Sequence, residues 1–334
     1  MISFSTVSAA VLAAAATFAT ADDGQTPFAP DQAVAPPLLG FGTWNLKVSP
    51  DNTTDAVSLA IQSGYRHIDA AAAYGNQVAV GKGIADGIDK AGLQREDIWV
   101  TSKLWNDHHG DADAVEAALT KTLEELGLQY LDLYLMHWPV SASGDYDYVE
   151  TWKSMEKLLP NKVRNIGVAN FSPHQLRKLV RSSTVKPAVH QMELHPYLQQ
   201  AGWVRFHQKH GIHVTSYSPL GNTNPIYRSS SREANTRKTG TPLLLENPEL
   251  ESIAKQRDCS VAQVALAWGM ERGTSVIPKS SHEKWIKENF EAVECGLVDA
   301  DLDKIEKIGE KYLTRFNNPS KAWGVDLFEG LDDA

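Results

Sequence analysis

Cysteine is scarce in this chain: Cys259 and Cys295 are the only two in 334 residues. Neither has a Cys-x-x-Cys neighbour, so zinc-ribbon, redox-motif and disulfide-framework readings are all weak, and two separate thiols on helices are expected. Histidine pairs at metal-site spacing are missing too. His108-His109 beside Asp107 and Asp111, and His207 with His210, have no second pair to complete a ligand set. They read as loop or helix-surface residues, and no metal is expected. No Gly-x-Gly-x-x-Gly opens a helix, which removes the phosphate turn of an open dinucleotide-binding sheet. Positive charge is short: 32 Lys and Arg stand against 41 Asp and Glu, for a net charge of -9. With a pI near 5.7 and no basic cluster, a nucleic-acid partner is not expected. The segment Arg228 to Lys238 reads as a solvated loop. Outside the extreme N-terminus no run approaches the ~20 apolar residues of a membrane span, so none is expected in the mature chain.

The N-terminus lacks positive charge altogether, for no Lys or Arg precedes Lys47. Residues 1–21 carry an Ala-rich apolar run from Val7 to Phe18 and close on Ala19-Thr20-Ala21, which resembles a signal peptide with a small-residue cleavage site. The uncharged start disfavours a mitochondrial presequence. A secretory route and a cytoplasmic enzyme with a disordered extension both stay open. Of two glycosylation sequons, Asn52-Thr-Thr is surface-like, whereas Asn170-Phe-Ser falls in a segment read below as part of a cofactor site. Residues 22–36 read as an irregular lead and residues 37–334 as one domain that includes a C-terminal tail.

What the chain does have is a steady alternation. Apolar runs at Leu38–Trp44, Tyr65–Asp69, Ile98–Lys103, Leu131–His137, Val163–Val168, Ala188–Glu193, His213–Tyr217 and Ser275–Ile277 read as strands. Helical spacing separates them at Thr53–Ser63, Val78–Ala91, Ala112–Leu126, Tyr148–Leu159, from the Ser172-Pro173 start to Arg181, and at Gly202–His210. A long polar loop, Gly221 to Thr241, precedes further helical patches at Pro248–Asp258, Ala262–Arg272 and His282–Glu291. Mostly apolar strand runs, rather than apolar/polar alternation, imply a parallel sheet buried on both faces. The length suits a closed (β/α)8 TIM barrel, which typically takes ~250 residues, better than an open sheet, because the reactive residues come from many strand ends.

Those ends carry the chemistry. His67-Ile-Asp-Ala-Ala-Ala-Ala-Tyr-Gly-Asn76 delivers Asp69 and Tyr74, the third run ends at Lys103, and the fourth at His137. In a parallel barrel these four share one rim. A tyrosine with a pKa of ~10 is a poor acid, but the Lys103 ammonium would favour its ionised form, Asp69 would hold the lysine, and His137 would orient a carbonyl oxygen. The set suits protonation of an oxygen that turns alkoxide-like as a nucleophile reaches its carbon. With no metal and no activated Ser or Cys, hydride from a nicotinamide is the natural nucleophile.

Six motifs in order, His67 to Asn76, Leu131-Asp-Leu-Tyr-Leu-Met-His-Trp-Pro139, Ile166-Gly-Val-Ala-Asn-Phe-Ser172, Gln191-Met-Glu-Leu-His-Pro196, Tyr217-Ser-Pro-Leu-Gly221 and Ile277-Pro-Lys-Ser280, resemble the aldo-keto reductase superfamily over about Leu38 to Asn317. The resemblance implies a TIM barrel, reversible NADPH-dependent reduction of an aldehyde or ketone to an alcohol, and the tetrad Asp69, Tyr74 as proton donor, Lys103 and His137. It further implies that Asn170 and Gln191 bind the nicotinamide carboxamide, that Tyr217 stacks on the ring, and that Ser218 and Leu220 touch the pyrophosphate. Lys279 and Ser280 match a 2'-phosphate site, Glu288 and Asn289 adenine contacts. Thr43 and Trp44 fall beside substrate and cofactor, and Trp105 and Trp138 would wall the substrate pocket together with Trp44. Two departures stand out. Ala169 replaces a usual serine donor to the carboxamide. Trp285 replaces a common arginine against adenine and 2'-phosphate, which leaves NADH open as a cofactor. The competing reading is a non-catalytic, nicotinamide-binding redox sensor or regulatory subunit on the same barrel.

Overall fold

The computed structural model describes residues 35–46, 50–223 and 241–328. The signal-peptide-like segment and most of the polar loop between Gly221 and Thr241 lie outside the described residues.

Eight parallel strands follow one another in chain order: β1 (Phe41–Gly42), β2 (His67–Asp69), β3 (Trp99–Leu104), β4 (Leu133–Met136), β5 (Ile166–Ala169), β6 (Val189–Glu193), β7 (His213–Tyr217) and β8 (Ser275–Val276). The segment ahead of β1 joins the two edges. Val276 N–H donates to Leu38 O at 2.8 Å and Gly40 N–H donates to Val276 O at 2.9 Å. The sheet is therefore the expected (β/α)8 barrel. Every residue of β4, β5 and β6 is buried, which explains why β4 and β5 read as apolar runs with no alternation, while β6 buries His190, Gln191 and Glu193 among its five residues.

The helices α1 (Pro50–Gln62), α2 (Gln77–Ala91), α3 (Ala112–Leu126), α4 (Tyr148–Glu156), α5 (Pro173–Ser182) and α6 (Ala201–Lys209) fill the crossovers between successive strands. Two more, α7 (Pro248–Arg257) and α8 (Val261–Glu271), lie between β7 and β8, and α9 (Glu283–Phe290) follows β8. Local chemistry sets their starts. Ser172 Oγ accepts from Gln175 N–H at 3.3 Å while Gln175 Oε1 accepts from Ser172 N–H at 2.9 Å, a reciprocal cap ahead of Pro173. Helices α1 and α2 pack closely because α2 turns glycines toward α1: a Cβ on Gly83 would lie 2.6 Å from Thr54 O, and one on Gly87 2.9 Å from Ile61 Cβ.

Several expectations change. Within the expected Leu38–Trp44, the ladder with β2 covers only Phe41–Gly42, Leu39 forms an isolated bridge to Val276, and the strand ends after Gly42 because Asn45 takes a left-handed φ of 62°. Helix α4 stops at Glu156, short of Leu159. A further helix, α10 (Asp299–Tyr312), was not expected, although Ile305 and Ile308 give its buried side a helical spacing. A short α11 (Ser320–Trp323) lies in the tail. The cysteines are not separate thiols on helices: Cys259 and Cys295 form a disulfide with Cα atoms 6.0 Å apart. Cys259 follows α7 after Asp258, whose left-handed φ of 54° turns the chain back, and Cys295 follows the short turn beyond α9. A separation of 36 residues gives no hint of that approach. His207, expected on a helix surface, is fully buried against the sheet, and His109 is buried as well.

Candidate active site

Parallel strands place all their C-terminal ends on one rim, and five of the residues singled out in the sequence sit there: Asp69 ends β2, Tyr217 ends β7, Lys103 lies one residue inside the end of β3, and His137 and Asn170 directly follow β4 and β5. The rim opens into a cavity of about 990 Å3. Asp69, Tyr74, His137, Asn170, Gln191, Tyr217, Ser218, Leu220, Lys279, Ser280, Glu288 and Asn289 all line it, as do Trp44, Trp105 and Trp138. Thr43 and Lys103 do not reach the lining; both are fully buried beneath it. Thr43 Oγ1 donates to Asp69 O at 2.8 Å, so this residue fastens β1 to β2 under the floor.

The four ionisable groups form one connected cluster. Lys103 Nζ donates to Asp69 Oδ2 at 2.6 Å, to Ala70 O at 2.9 Å and to Tyr74 Oη at 3.1 Å. Gln191 Nε2 donates to the other carboxylate oxygen, Asp69 Oδ1, at 2.7 Å. Tyr74 rides on a 3-10 turn, Ala72–Tyr74, that Gly75 closes with a left-handed φ of 66°, and the following Asn76 pins the turn by donating to Thr43 O at 2.9 Å. Its ring meets His137 edge-on at 5.8 Å between centroids. Because the lysine donates to Oη, the tyrosine's own proton does not lie on the Lys103 side.

Burial governs the protonation of this cluster. It pushes the Tyr74 hydroxyl well above the usual phenol value, and the Asp69 charge acts in the same direction. The expected downward pull of Lys103 on Tyr74 is outweighed, because removing a phenolate from water costs more than one ammonium returns. Burial also lowers Lys103, while the charge and hydrogen bond of Asp69 oppose that fall. His137 is held well below the usual imidazole value by burial and then by the Lys103 charge, so it is neutral at ordinary pH.

Asn170 and Gln191 face the cavity beside this cluster. Asn170 adopts a left-handed φ of 63°, and its side chain donates to His137 O at 2.9 Å and accepts from Tyr217 Oη at 2.7 Å. Ser218 is also left-handed, with φ of 50°. Positive φ in non-glycine residues concentrates where a strand end must aim its side chains at a ligand. Farther along, Lys279 is lowered by burial, Ser280 Oγ accepts from His282 N–H at 3.0 Å, and Trp285 is 51% exposed with its ring edge-on to His282.

On the opposite side, Trp105 and Trp138 each meet Trp323 of α11 edge-on, with centroids 6.2 and 5.0 Å apart. Trp323, Phe316, Asn317 and Asn318 line the cavity, and sequence reasoning singled out none of them, naming only the tail as a whole. Buried Glu193 holds that segment: its carboxylate accepts from Phe316 N–H at 2.7 Å and from Asn317 N–H at 2.8 Å. Asn317 Nδ2 in turn donates to Tyr217 Oη at 3.2 Å. A signal was available, since a glutamate at the end of a strand buried on both faces must find donors.

Residues 38–310 match the Aldo/keto reductase family. An uncharacterised oxidoreductase of Schizosaccharomyces pombe is 46% identical over 316 residues, covering 89% of this chain and 92% of its own length. An NAD(P)H-dependent D-xylose reductase of Candida tropicalis is 39% identical, covering 87% of this chain and 94% of its own. Among solved structures, a Bombyx mori aldo-keto reductase in complex with NADP superposes with a TM-score of 0.76 at 34% identity, over 87% of this chain and 94% of that one. With the barrel, the rim cluster and these likenesses in agreement, the chain belongs to the aldo-keto reductase family.

Proposed function

We propose that this protein is an NADPH-preferring reductase of small aldehydes or ketones, running in reverse as an alcohol dehydrogenase, with Tyr74 as its proton donor. The observation that carries the reading is the buried ammonium of Lys103 at 3.1 Å behind Tyr74 Oη, with the phenol facing the cavity. The lining suits a dinucleotide: two amide side chains and an aromatic ring cluster at one end, and a half-buried cation stands at the other. Such a cofactor, when bound, supplies the hydride.

The chain's own residues handle the rest. Asn170 and Gln191 would hold the carboxamide, Tyr217 would stack on the ring, and Ser218 and Leu220 would lie along the pyrophosphate. Lys279 and Ser280 would take the 2'-phosphate, with Glu288 and Asn289 at the adenine. Trp44, Trp105 and Trp138 wall a pocket whose carbonyl oxygen would sit between Tyr74 and neutral His137. A high Tyr74 pKa keeps its proton in place at neutral pH, yet an alkoxide is more basic than any phenolate, so transfer to the developing alkoxide runs downhill. As the phenolate forms, Lys103 stabilises it and Asp69 keeps the lysine in register. The name of the Candida relative, which specifies D-xylose, favours hydroxylated aldehydes among the substrates.

Tyr74→Phe tests the assignment. Carbonyl reduction should fall at least about 10²-fold, since a general acid is worth 10²–10⁴-fold, with NADPH affinity within about twofold of the parent. A variant that keeps more than about a tenth of the parent turnover would rule Tyr74 out as the acid. A parent that binds the cofactor but turns over no aldehyde in a broad panel would favour the sensor reading.

A further inference from the structure

Strand β6 presents its side chains alternately to the two faces of the sheet. Gln191 points into the cavity and reaches Asp69, so His190 leaves on the opposite face, where it is fully buried between sheet and helices. Its ring is part of a directed chain. Phe171 N–H, which can only donate, meets His190 Nε2 at 3.1 Å. That nitrogen must therefore be bare, and the His190 proton sits on Nδ1. From Nδ1 it donates to His207 Nε2 at 2.7 Å, and His207 Nδ1–H then donates to Trp203 O of α6 at 2.6 Å. Every ring nitrogen is used once and in one direction.

The amide at the head of this chain is the one that matters to the site. Asn170 N–H is still bonded to Gln191 O at 3.0 Å, the last rung between β5 and β6. At Asn170 the backbone turns left-handed, and the next amide, Phe171 N–H, takes the His190 ring as its acceptor in place of a strand carbonyl. A buried amide without an acceptor is costly, so the imidazole makes this exit from the ladder tenable. The same turn aims the Asn170 side chain between His137 O and Tyr217 Oη.

We infer that His190, braced by His207, is a positioning residue for the nicotinamide end of the cavity: it holds the Asn170–Phe171 peptide in the left-handed turn that presents the Asn170 amide to the cofactor carboxamide. The inference rests on the cofactor assignment proposed above. It separates the two halves of the cavity, since nothing in the relay touches Lys279, Ser280 or α9.

Three substitutions at one position test it. His190→Gln places an oxygen where Nε2 stood and keeps the acceptor for Phe171. His190→Asn reaches only as far as Nδ1 and loses it, and His190→Leu offers no polar group. Affinity is read by tryptophan fluorescence for NADPH and for 2',5'-ADP, which lacks the nicotinamide half. The expected result is that His190→Asn and His190→Leu weaken NADPH about tenfold while 2',5'-ADP binds as in the parent, and that His190→Gln restores NADPH to within about twofold. Should the Asn and Leu variants fail to fold, His207→Leu leaves His190 in place but removes the acceptor of His190 Nδ1–H together with the donor to Trp203 O, and should weaken NADPH about threefold with 2',5'-ADP unchanged. Equal losses for both ligands, or none for NADPH in a variant lacking the acceptor, would overturn the positioning role. A parent that binds neither NADPH nor NADH would sink the cofactor assignment itself, and the inference with it.

Discussion

At the scale of single residues, the cofactor site proposed above makes Lys279 and Trp285 the residues that would decide between NADPH and NADH. A 2'-phosphate carries about two negative charges, and a cation within ~4 Å in a partly desolvated groove is worth on the order of a few kcal/mol against it. Lys279 lines the cavity and is lowered by burial, a sign that it stands where water screens it poorly. Trp285 contributes a flat, half-exposed ring and no charge. Lys279→Met should therefore abolish most of the preference for NADPH over NADH, whereas Trp285→Arg should tighten NADPH and leave NADH nearly unchanged. Titration of both cofactors against intrinsic fluorescence measures the two effects. A Lys279→Met variant that binds NADPH as tightly as the parent would show that the phosphate lies elsewhere.

Between elements, the disulfide ties the turn after α7 to the turn after α9, across the side of the barrel that carries Glu288 and Asn289. Closing a 36-residue loop removes chain entropy from the unfolded state worth about 4 kcal/mol by loop-closure arithmetic. Helices α8 and α9 have a second link, Gln263 Nε2 donating to Glu288 O at 3.0 Å, so the site does not hang on the sulfur bridge alone. Reduction, or the double change Cys259→Ser with Cys295→Ser, should lower the unfolding free energy by about 2–4 kcal/mol and spare aldehyde turnover at room temperature. Calorimetry with and without reductant, paired with an activity assay, checks both halves. An unchanged Tm in reductant would mean that the bridge carries no stability.

Across the whole molecule, buried imidazoles set the acid limit. Burial lowers His67 to about 3, and His109, His207 and His213 each to about 4, from 6.5. In the fold these rings stay neutral, while the unfolded chain takes up protons below about pH 6.5. Stability is therefore full above pH 6.5 and is lost as pH falls from there toward about 4, at up to about 1.4 kcal/mol per pH unit for each ring. The Tm should be flat above about pH 7 and drop steeply between about pH 6.5 and 5. A Tm that holds level through that window would show that the rings find protons without unfolding.

Local pattern was enough for much of this protein. Mostly apolar runs reported strands buried on both faces, helical spacing reported the crossovers, and parallel pairing then obliged Asp69, Tyr74, Lys103 and His137 to share a rim, because every strand of such a barrel ends on the same side. Hydrophobic period and strand direction are properties of neighbours in the chain. Other features are properties of distance in space. The Phe171–His190–His207 relay joins the segment after β5 through strand β6 to α6, Glu193 captures Phe316 and Asn317 from more than a hundred residues away, and Cys259 meets Cys295 only because two turns face each other. Even the protonation of Tyr74 reversed its expected direction, since a pairwise look at Tyr and Lys omits the desolvation that only the packed barrel imposes. Residue types and their order determined which strand ends carry the ionisable groups; tertiary packing decided which side chains line the cavity and how they are held, because burial and the partners of buried polar atoms arise only when distant elements close on one another.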